Sequence, residues 1–453
     1  MSATDFPCHR SAARATSDSG LLHDSVIGVT TSSRCAPIVP RMKPNHPQFR
    51  LACTMLGGAL LVASPLRAQN GTPFAPHSNN ILTLAVYGDS PYGTSPTDRT
   101  ETDETPAFIA SINGDPKVDL VLHVGDIHSG SQFCTAAYDH DIFDLWTAFK
   151  NPLIYTPGDN EWTDCHKTKE GGNVFVNGSP VDYANGNPLA NLDLVRSIFF
   201  ADPGYALGGR HKRVFSQAEV FNSASPTDAN YVENVMWSQS KVLFLTLNIP
   251  GGSNNDADPW FGAPITQAQI DEAAQRTRAD LHWLDLAFAE AQREGVDAIV
   301  ISSQADMWDR DGKDVSHIAN YEPFIASIAA HTTAFGKPVL LFEGDSHHYR
   351  SDNPLRAGQP CVFEGAGVSV VPCNSLPASS DFTPDAWTNH PGYDVPNFHR
   401  VVVHGSTNPL EWLRVTIAPG TNASTTATTF GPFSWERVRP PEFFEALARS
   451  VGF

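Results

Sequence analysis

The sequence predicts an α/β fold with a largely parallel sheet, and three observations support that class. Apolar runs of strand length recur along the chain, helical stretches separate them, and four of the runs are followed within two residues by Gly-Asp. Strands that are apolar throughout are typical of parallel sheets, because helices cover both faces of such a sheet. With 453 residues, of which 41% are hydrophobic, the chain is long enough for one large domain or two ordinary ones.

The predicted strands are apolar runs bounded by turn residues. We place them at residues 81–87, 118–124, 152–155, 241–247, 298–301, 338–342, 398–403 and 412–417. A helix is predicted after Pro106 and a short one over residues 143–150. Residues 160–230 are irregular and rich in Gly, Asn, Asp and Pro, so we expect a functional insertion or lid there.

The longest predicted helix begins at Thr266 and ends at Gly295. Thr266 and Gln269 match the Thr-x-x-Gln capping box, in which each side chain satisfies a backbone N–H of the other, and glycine is the usual residue just past a helix. The apolar stripe of this helix advances by four and three residues in turn, through Ile270, Ala274, Thr277, Leu281, Leu284 and Phe288.

The N-terminal segment predicts export. Residues 42–68 combine a basic start, an apolar run and a small-residue cleavage site that ends at Ala68, which is the pattern of a signal peptide. A single membrane anchor is the alternative, but the apolar run is short for a span. Because Met42 is the better start site, residues 1–41 are expected to be an untranslated or disordered leader. We therefore expect a periplasmic or secreted protein with no stable membrane anchor.

Four cysteines lie beyond the predicted signal peptide: Cys134, Cys165, Cys361 and Cys373. An even number in an exported chain suggests two disulfides, and three pairings are open. Short loops favour Cys361–Cys373 and Cys134–Cys165. A thiolate metal site is the alternative, but no pair has Cys-x-x-Cys spacing.

The net charge of the chain limits the classes of partner that it is expected to bind. The chain has 49 acidic and 30 basic side chains, a formal net charge of -19. This sign argues against nucleic acid, which needs clustered Lys and Arg. An anionic substrate would have to meet a local positive charge, and a bound cation would supply one. Nothing in the sequence predicts a protein partner.

Four Gly-Asp pairs follow predicted strands, and their carboxylates are Asp89, Asp126, Asp159 and Asp345. The carboxyl ends of parallel strands meet at one edge of a sheet, where ligands bind. Carboxylates gathered there repel one another unless a divalent cation lies between them. A turn or helix cap is the alternative for any single Gly-Asp. Four in succession favour a metal site.

The segments at these strand ends resemble the motifs of the calcineurin-like metallophosphoesterases. The matching segments are Gly88-Asp89-Ser90-Pro91, Gly125-Asp126-Ile127-His128, Gly158-Asp159-Asn160-Glu161, Ser303-Gln304 and Gly344-Asp345-Ser346-His347. The resemblance implies a β-sandwich flanked by helices (αββα). It places the domain at residues 78–420, with 421–453 as a C-terminal extension.

The resemblance also implies a ligand set, namely Asp89, Asp126, Asp159, Asp345 and His347. Carboxylates are more numerous in this set, and histidines fewer, than is usual for the family. Oxygen donors prefer hard cations, so we expect one or two ions of Mg²⁺, Mn²⁺ or Ca²⁺ rather than Zn²⁺ or Fe.

Four further positions are candidate catalytic or substrate-binding residues. Asn160 replaces the histidine that in the family stabilises or protonates the leaving group, and His128 is a candidate substitute. Gln304 replaces a histidine ligand, and we expect it to contact substrate. Arg350 follows the last motif and is a candidate phosphate contact. The alternative for His128 is that it only supports the site, and the alternative for Arg350 is a surface salt bridge.

These features predict an exported, metal-dependent hydrolase of small-molecule phosphomonoesters or phosphodiesters that uses a metal-activated water. Two alternatives stay open. One is a non-catalytic protein that binds a metal or a ligand on a degenerate form of the same fold. The other is a hydrolase of a different ester or anhydride that uses one metal.

Overall fold

A computed structural model describes residues 74–75 and 78–440, apart from gaps at 256–257, 312, 366–368, 376–385 and 407–409. All of these residues belong to one unit that spans residues 67–453. The predicted leader 1–41 and signal peptide 42–68 lie outside the described residues, as do residues 441–453. Within the described ranges, none of the helices has the length and apolar character needed to cross a bilayer.

The described strands, in chain order, are β1 (Phe74–Ala75), β2 (Leu82–Tyr87), β3 (Leu120–His123), β4 (Pro152–Tyr155), β5 (Phe175–Val176), β6 (Ser179–Pro180), β7 (Leu207–Gly208), β8 (Phe215–Ser216), β9 (Val235–Gln239), β10 (Val242–Thr246), β11 (Ala298–Ser302), β12 (Val339–Glu343), β13 (Arg350–Asp352), β14 (Val362–Glu364), β15 (Val370–Pro372), β16 (Phe398–Val402), β17 (Trp412–Ile417), β18 (Thr429–Phe430) and β19 (Phe433–Val438). The α-helices are α1 (Thr100–Gly114), α2 (Ala136–Trp146), α3 (Pro188–Phe199), α4 (Gly251–Asn254), α5 (Gln267–Glu294) and α6 (Glu322–Phe335).

Two mixed sheets contain most of these strands. In the described part of the chain the larger sheet has the order β1-β9-β10-β11-β12-β16-β13-β14-β15, and β8 pairs with β9. Strands β10, β11, β12 and β16 run parallel. The second sheet has the order β18-β19-β17-β2-β3-β4-β7, and β2, β3 and β4 run parallel in it. Because β19 pairs with β17, this sheet continues past residue 420, where we expected the domain to end.

The hydrophobic core has three layers. Successive side chains of a strand point to opposite faces of the sheet, so each central strand contributes to two of these layers. Leu84 and Val86 of β2 pack with Phe244 of β10 in the cluster between the two sheets. Ala85, which points the other way, joins the cluster beneath α1, α2 and α3. Leu243 joins the cluster beneath α5 and α6. The order helix, sheet, sheet, helix is the predicted αββα architecture, which is confirmed.

The two short N-terminal helices begin earlier than predicted. Helix α1 begins at Thr100 and contains Pro106, which we had placed before the helix. A proline inside a helix costs about 3 kcal/mol, and burial of Phe108 and Ile109 on the outer face of the second sheet outweighs that cost. Helix α2 covers 136–146 rather than 143–150, because Thr135 caps it by accepting a hydrogen bond from the N–H of Tyr138.

Helix α5 has the predicted limits but only half of the predicted capping box. Thr266 Oγ1 accepts from the N–H of Gln269, and Gly295 ends the helix with φ 68°. The side chain of Gln269 donates instead to the carbonyls of Asn255 and Asp258. It therefore anchors the preceding loop rather than Thr266.

The predicted apolar stripe of α5 was wrong for the first half of the helix and correct for the second half. Ile270 is 44% exposed, whereas Leu284 and Phe288 are buried. The buried face of the first half carries Glu272 and Arg276, which form an ion pair with 2.7 Å between Oε1 and Nε. A helix face can be buried when its polar groups bind one another, just as an apolar face can. The apolar periodicity of the sequence therefore did not reveal the buried face of the first half of α5.

The predicted insertion 160–230 is more regular than expected. It contains α3, whose Val195 and Phe199 pack against the outer face of the second sheet. Asn187 caps this helix by accepting from the N–H of Ala190, and Pro188 is its first residue. Asparagine followed by proline is a helix-start signal that the composition of the region obscured.

Two disulfides are present, and both match the pairing that the short loops favour. Cys134 and Cys165 have Cα atoms 5.7 Å apart, and those of Cys361 and Cys373 are 5.4 Å apart. The first bridge joins the loop after β3 to the loop after β4, and both loops lead to the candidate site described next.

Candidate metal centre

The four Gly-Asp pairs lie at one edge of the two facing sheets. Asp89 follows β2, Asp126 follows β3, Asp159 follows β4 and Asp345 follows β12. A cavity of about 790 Å³ opens at this edge, and its lining includes Asp126, Asp159, Asp345 and His347. Asp89 lies directly beneath this lining. The structure therefore brings together all five side chains that the sequence suggested as metal ligands.

Asp89, Asp126 and His347 form the first of two contiguous clusters. One potential ligand atom from each residue lies within 4.8 Å of the others. Nε2 of His347 is 3.6 Å from Oδ1 of Asp89. Oδ1 of Asp89 also accepts from the backbone N–H of Asp345 at 2.8 Å, whereas its buried Oδ2 has no hydrogen-bond partner.

Asp126 is held by donors on both sides. Its Oδ2 accepts from the hydroxyl of Tyr92 at 2.5 Å and from Nδ2 of Asn160 at 2.8 Å, and its Oδ1 accepts from the backbone N–H of Asn160 at 3.2 Å. A carboxylate offers about four lone-pair sites, so these three bonds leave one. Sequence reasoning missed Tyr92. The only signal for this tyrosine was its place three residues after Asp89.

Asp159 and Asp345 form the second cluster with Gln304 between them. Nε2 of Gln304 donates to Oδ1 of Asp159 at 2.9 Å and to Oδ1 of Asp345 at 3.3 Å. Its Oε1 accepts from the N–H of Gly251 at 2.6 Å, and this backbone donor fixes which way the amide faces. Gln304 is fully buried and does not line the cavity. We expected a substrate contact, but Gln304 instead orients two carboxylates.

Backbone strain is concentrated in this site. Asp89, Asp126, Asp345 and His347 all have positive φ, between 49° and 66°. A non-glycine residue in that region costs of order 1–3 kcal/mol and persists only where the surroundings enforce it. Residues with such strained backbones cluster at functional sites. Four of the five suggested ligands are strained in this way, which indicates that the fold holds their side chains in place at the cost of stability.

The carboxylates have perturbed acidities. Burial, reinforced by neighbouring carboxylates, raises the pKa of Asp89, Asp126 and Asp345 well above the ordinary value. Burial and the charge of Asp164 raise the pKa of Asp159 to about 7. Burial lowers the pKa of His347 to about 4, so the imidazole is neutral at pH 7.

The residues of this site fit a divalent metal. Four carboxylates with raised pKa values, three of them buried and Asp345 partly buried, lack an opposing positive charge within the cluster, and the buried Oδ2 of Asp89 lacks a donor among the described residues. A cation satisfies both needs, because it compensates the charge and coordinates the free oxygen. Oxygen atoms dominate the donor set, which suits Mg²⁺, Mn²⁺ or Ca²⁺.

Two of the suggested site residues lie away from the cavity. His128 is fully buried, its Nδ1 lies 3.2 Å from the carbonyl of Ser129, and its ring packs edge-on against Tyr138. Arg350 is buried in β13, where its Nε is 2.6 Å from Asp352 Oδ2. Neither side chain lines the cavity. The structure therefore does not support direct roles for them, because both side chains are buried away from the cavity, although Nε2 of His128 has no hydrogen-bond partner among the described residues.

The cavity itself is acidic. Among the described residues, nine carboxylate side chains and three lysines line it. An anionic substrate would be repelled from such a lining in the absence of bound cations. The same lining with one or two divalent ions is suited to a phosphate group.

Metal-free protein is expected to lose stability as the pH rises from about 5 to 7.5, and the Asp159→Asn variant should show a shallower loss. The folded-state pKa of Asp159, about 7, exceeds an unfolded value of about 3.9. Native protein therefore binds more protons than unfolded protein in this window, so its stability falls as the pH rises. Urea unfolding of chelated samples at several pH values measures both slopes. Equal slopes would contradict the raised pKa.

A family model for calcineurin-like phosphoesterases matches residues 83–302. This match agrees with the resemblance that the motifs predicted. The family implies a divalent metal cofactor and a phosphoester substrate. The matched region contains Asp89, Asp126 and Asp159, whereas Asp345 and His347 lie beyond its end and reach the site through the fold.

No curated protein matches the sequence. Among solved structures, the chain is similar to the one titled "Structure of PhoD", with 9% identity and a TM-score of 0.39, over 81% of this chain and 71% of that one. It is also similar to purple acid phosphatase PPD1 from yellow lupin (Lupinus luteus) seeds, with 9% identity and a TM-score of 0.40, over 82% of this chain. The match spans 54% of the lupin chain. These likenesses concern the fold alone.

Proposed function

We propose that this protein is an exported, metal-dependent phosphoester hydrolase. The observation that carries the proposal is the cluster of buried Asp89 and Asp126 with partly exposed His347, in which one Asp89 oxygen has no partner among the described residues, at the edge of an acidic cavity. Such a group is costly to bury unless it binds a cation. Two disulfides support export, because they persist in oxidising compartments.

Each suggested ligand has a defined place in this proposal. Asp89, Asp126 and His347 would hold one metal ion, and Asp159 and Asp345 would hold a second or complete the first. Bound divalent ions in such sites neutralise the phosphate and lower the pKa of a coordinated water. Gln304 keeps the second pair of carboxylates in place, and Tyr92 and Asn160 do the same for Asp126.

Metal content and chelator-sensitive turnover test this function directly. Purified residues 69–453 should contain about one or two divalent ions per chain and hydrolyse 4-nitrophenyl phosphate or bis(4-nitrophenyl) phosphate. Chelation should abolish turnover, and Mg²⁺, Mn²⁺ or Ca²⁺ should restore it. Stoichiometric metal without turnover would favour a non-catalytic binding protein. Neither metal nor turnover after these ions are supplied would refute the proposal.

A further inference from the structure

The three lysines that line the cavity differ in how tightly they are held. Lys167 is paired with Asp164, and Nζ of Lys313 lies 2.9 Å from Oδ2 of Asp311. The nearest carboxylate oxygen to Nζ of Lys169 is 3.9 Å away, and this side chain is 60% exposed. Lys169 therefore has the loosest ion pair of the three, and its ammonium is the most available to a bound molecule.

The partner of Lys169 is the buried carboxyl group of Glu170. The side chain of Glu170 is 0% exposed, and neither of its carboxylate oxygens has a hydrogen-bond partner in the described residues. The Glu170 carbonyl accepts from the N–H of Cys134, whose disulfide to Cys165 joins this loop to its neighbour. Burial raises the pKa of the Glu170 carboxyl group well above its ordinary value, and the positive charges of Lys167 and Lys169 oppose that shift. The ammonium of Lys169 therefore lies beside Glu170 without a short ion pair that would hold it there.

A gap at Gly130 brings this ammonium next to Asn160. A Cβ added at Gly130 would lie 2.9 Å from Nζ of Lys169, 3.1 Å from Oδ1 of Asn160 and 3.2 Å from Oε1 of Glu170. The three polar atoms thus surround one point that has room only because residue 130 has no side chain. The same amide of Asn160 contacts Asp126 through its other end, at 2.8 Å.

Asn160 itself has no proton to give to a leaving group in this arrangement. Its Nδ2 donates to Oδ2 of Asp126 and to the hydroxyl of Tyr92, at 2.8 and 3.0 Å. An amide nitrogen has two protons, and both are engaged. The ammonium of Lys169 lines the cavity on the side of Asn160 Oδ1, across the gap at Gly130.

We propose that Lys169 protonates the leaving-group oxygen of the phosphoester, which makes esters of aliphatic alcohols the substrate class of this site. This inference rests on the proposed hydrolase function. The bond between phosphorus and the attacking water oxygen forms, and the bond between phosphorus and the ester oxygen breaks. The ester oxygen keeps the electron pair and takes a proton from the ammonium. The proton lost by the attacking water passes to solvent, from which Lys169 is protonated again.

The acidity of the leaving group explains why such a donor matters. An aliphatic alkoxide is a far stronger base than a lysine amine, whose conjugate acid has a pKa of about 10.4, so the proton transfer is downhill. A nitrophenolate leaves without a proton. General acids of this kind contribute about 10²- to 10⁴-fold. Loss of Lys169 should therefore act selectively on aliphatic esters.

The test compares leaving groups in matched variants. We would measure kcat/KM for 4-nitrophenyl phosphate and glycerol 2-phosphate or, if the protein is a diesterase, for bis(4-nitrophenyl) phosphate and dimethyl phosphate. Lys169→Ala should reduce the value for the aliphatic ester about 100-fold and the value for the aryl ester less than about threefold. Gly130→Ala should show the same selectivity, because its methyl group displaces the ammonium. Lys117→Ala, at an exposed position of the loop between α1 and β3, should change neither value.

Two further measurements separate protonation from charge and from metal binding. Lys169→Arg keeps the positive charge but cannot give up a proton, so it should stay impaired on the aliphatic ester. Metal per chain should be unchanged in every Lys169 variant. Full rescue by arginine, equal losses on both esters, no loss on either, or loss of metal would each overturn the proposal. If wild-type protein hydrolyses no ester in Mg²⁺, Mn²⁺ or Ca²⁺, the hydrolase function fails, and the role of Lys169 fails with it.

Discussion

Replacing Asp126 with asparagine is expected to reduce phosphoester hydrolysis by about 10³-fold or more and to lower the metal content per chain. Asp126 is buried and accepts from the hydroxyl of Tyr92 and from both nitrogens of Asn160. An asparagine at this position has one oxygen instead of two, so its amide nitrogen would face one of these donors. The variant loses a charged ligand and gains a buried donor without a partner.

The control for this variant is Asp193→Asn, which makes the same chemical change at an exposed position of helix α3. It should keep wild-type metal content and kcat/KM. Metal is measured by elemental analysis and turnover with an aryl phosphate. Wild-type activity that survives Asp126→Asn would refute a metal-dependent mechanism at this site.

Adding a single methyl group at Gly158 is expected to cost about 10²-fold or more in kcat/KM, although Gly158 is not itself a proposed ligand. A Cβ at this position would lie 2.0 Å from Oδ1 of Asp126 and 2.6 Å from Cγ of Gln304. Both distances are far below van der Waals contact, so Asp126, Gln304 or the loop must shift. A displacement of about 1 Å in a reacting group can reduce a rate a hundredfold. Metal content and kcat/KM on the same preparation measure this.

Gly114→Ala provides the matched glycine control. No heavy atom lies within 4 Å of a Cβ added at this position, which is the last residue of helix α1. The control should keep full activity and metal, and alanine should not weaken the helix. If Gly158→Ala behaved like Gly114→Ala, the close approach between the β4 loop and Asp126 would not be needed for function.

Much of the fold could be predicted from local patterns. The apolar runs at β2, β10 and β17 were placed within a residue or two, because a strand buried on both faces has a distinctive composition. The end of α5 at Gly295 was correct, since glycine in a left-handed conformation satisfies the last turn of a helix. The starts of α1 and α2 were wrong, because burial of their apolar sides outweighed the proline signal and placed the first turns further upstream.

The candidate site, like the fold, could be predicted from the sequence only in part. Each Gly-Asp could be assigned to one rim, since strand direction and strand ends are local properties. Which side chains face the cavity was not predictable. His128 and Arg350 lie next to motif positions in sequence, yet both turn into the protein. Tyr92 gave almost no sequence signal, because its partner Asp126 comes from another loop. Lys169 gave none either, because the gap that faces it is at Gly130, in the loop after β3.

Local patterns in the sequence predicted an α/β fold, the chain positions of the four carboxylates and a preference for oxygen ligands, because periodicity, glycine turns and ligand chemistry act over a few residues. The αββα arrangement was implied by the resemblance to the calcineurin-like metallophosphoesterases. The tertiary structure alone decided that the amide of Gln304 orients Asp159 and Asp345, that both protons of Asn160 are engaged, and that the ammonium of Lys169 lies beside Asn160 across the gap at Gly130. The first two contacts join loops that follow different strands, and the third depends on Gly130 in the loop after β3. Their geometry depends on how two sheets pack, which no spacing along one chain specifies.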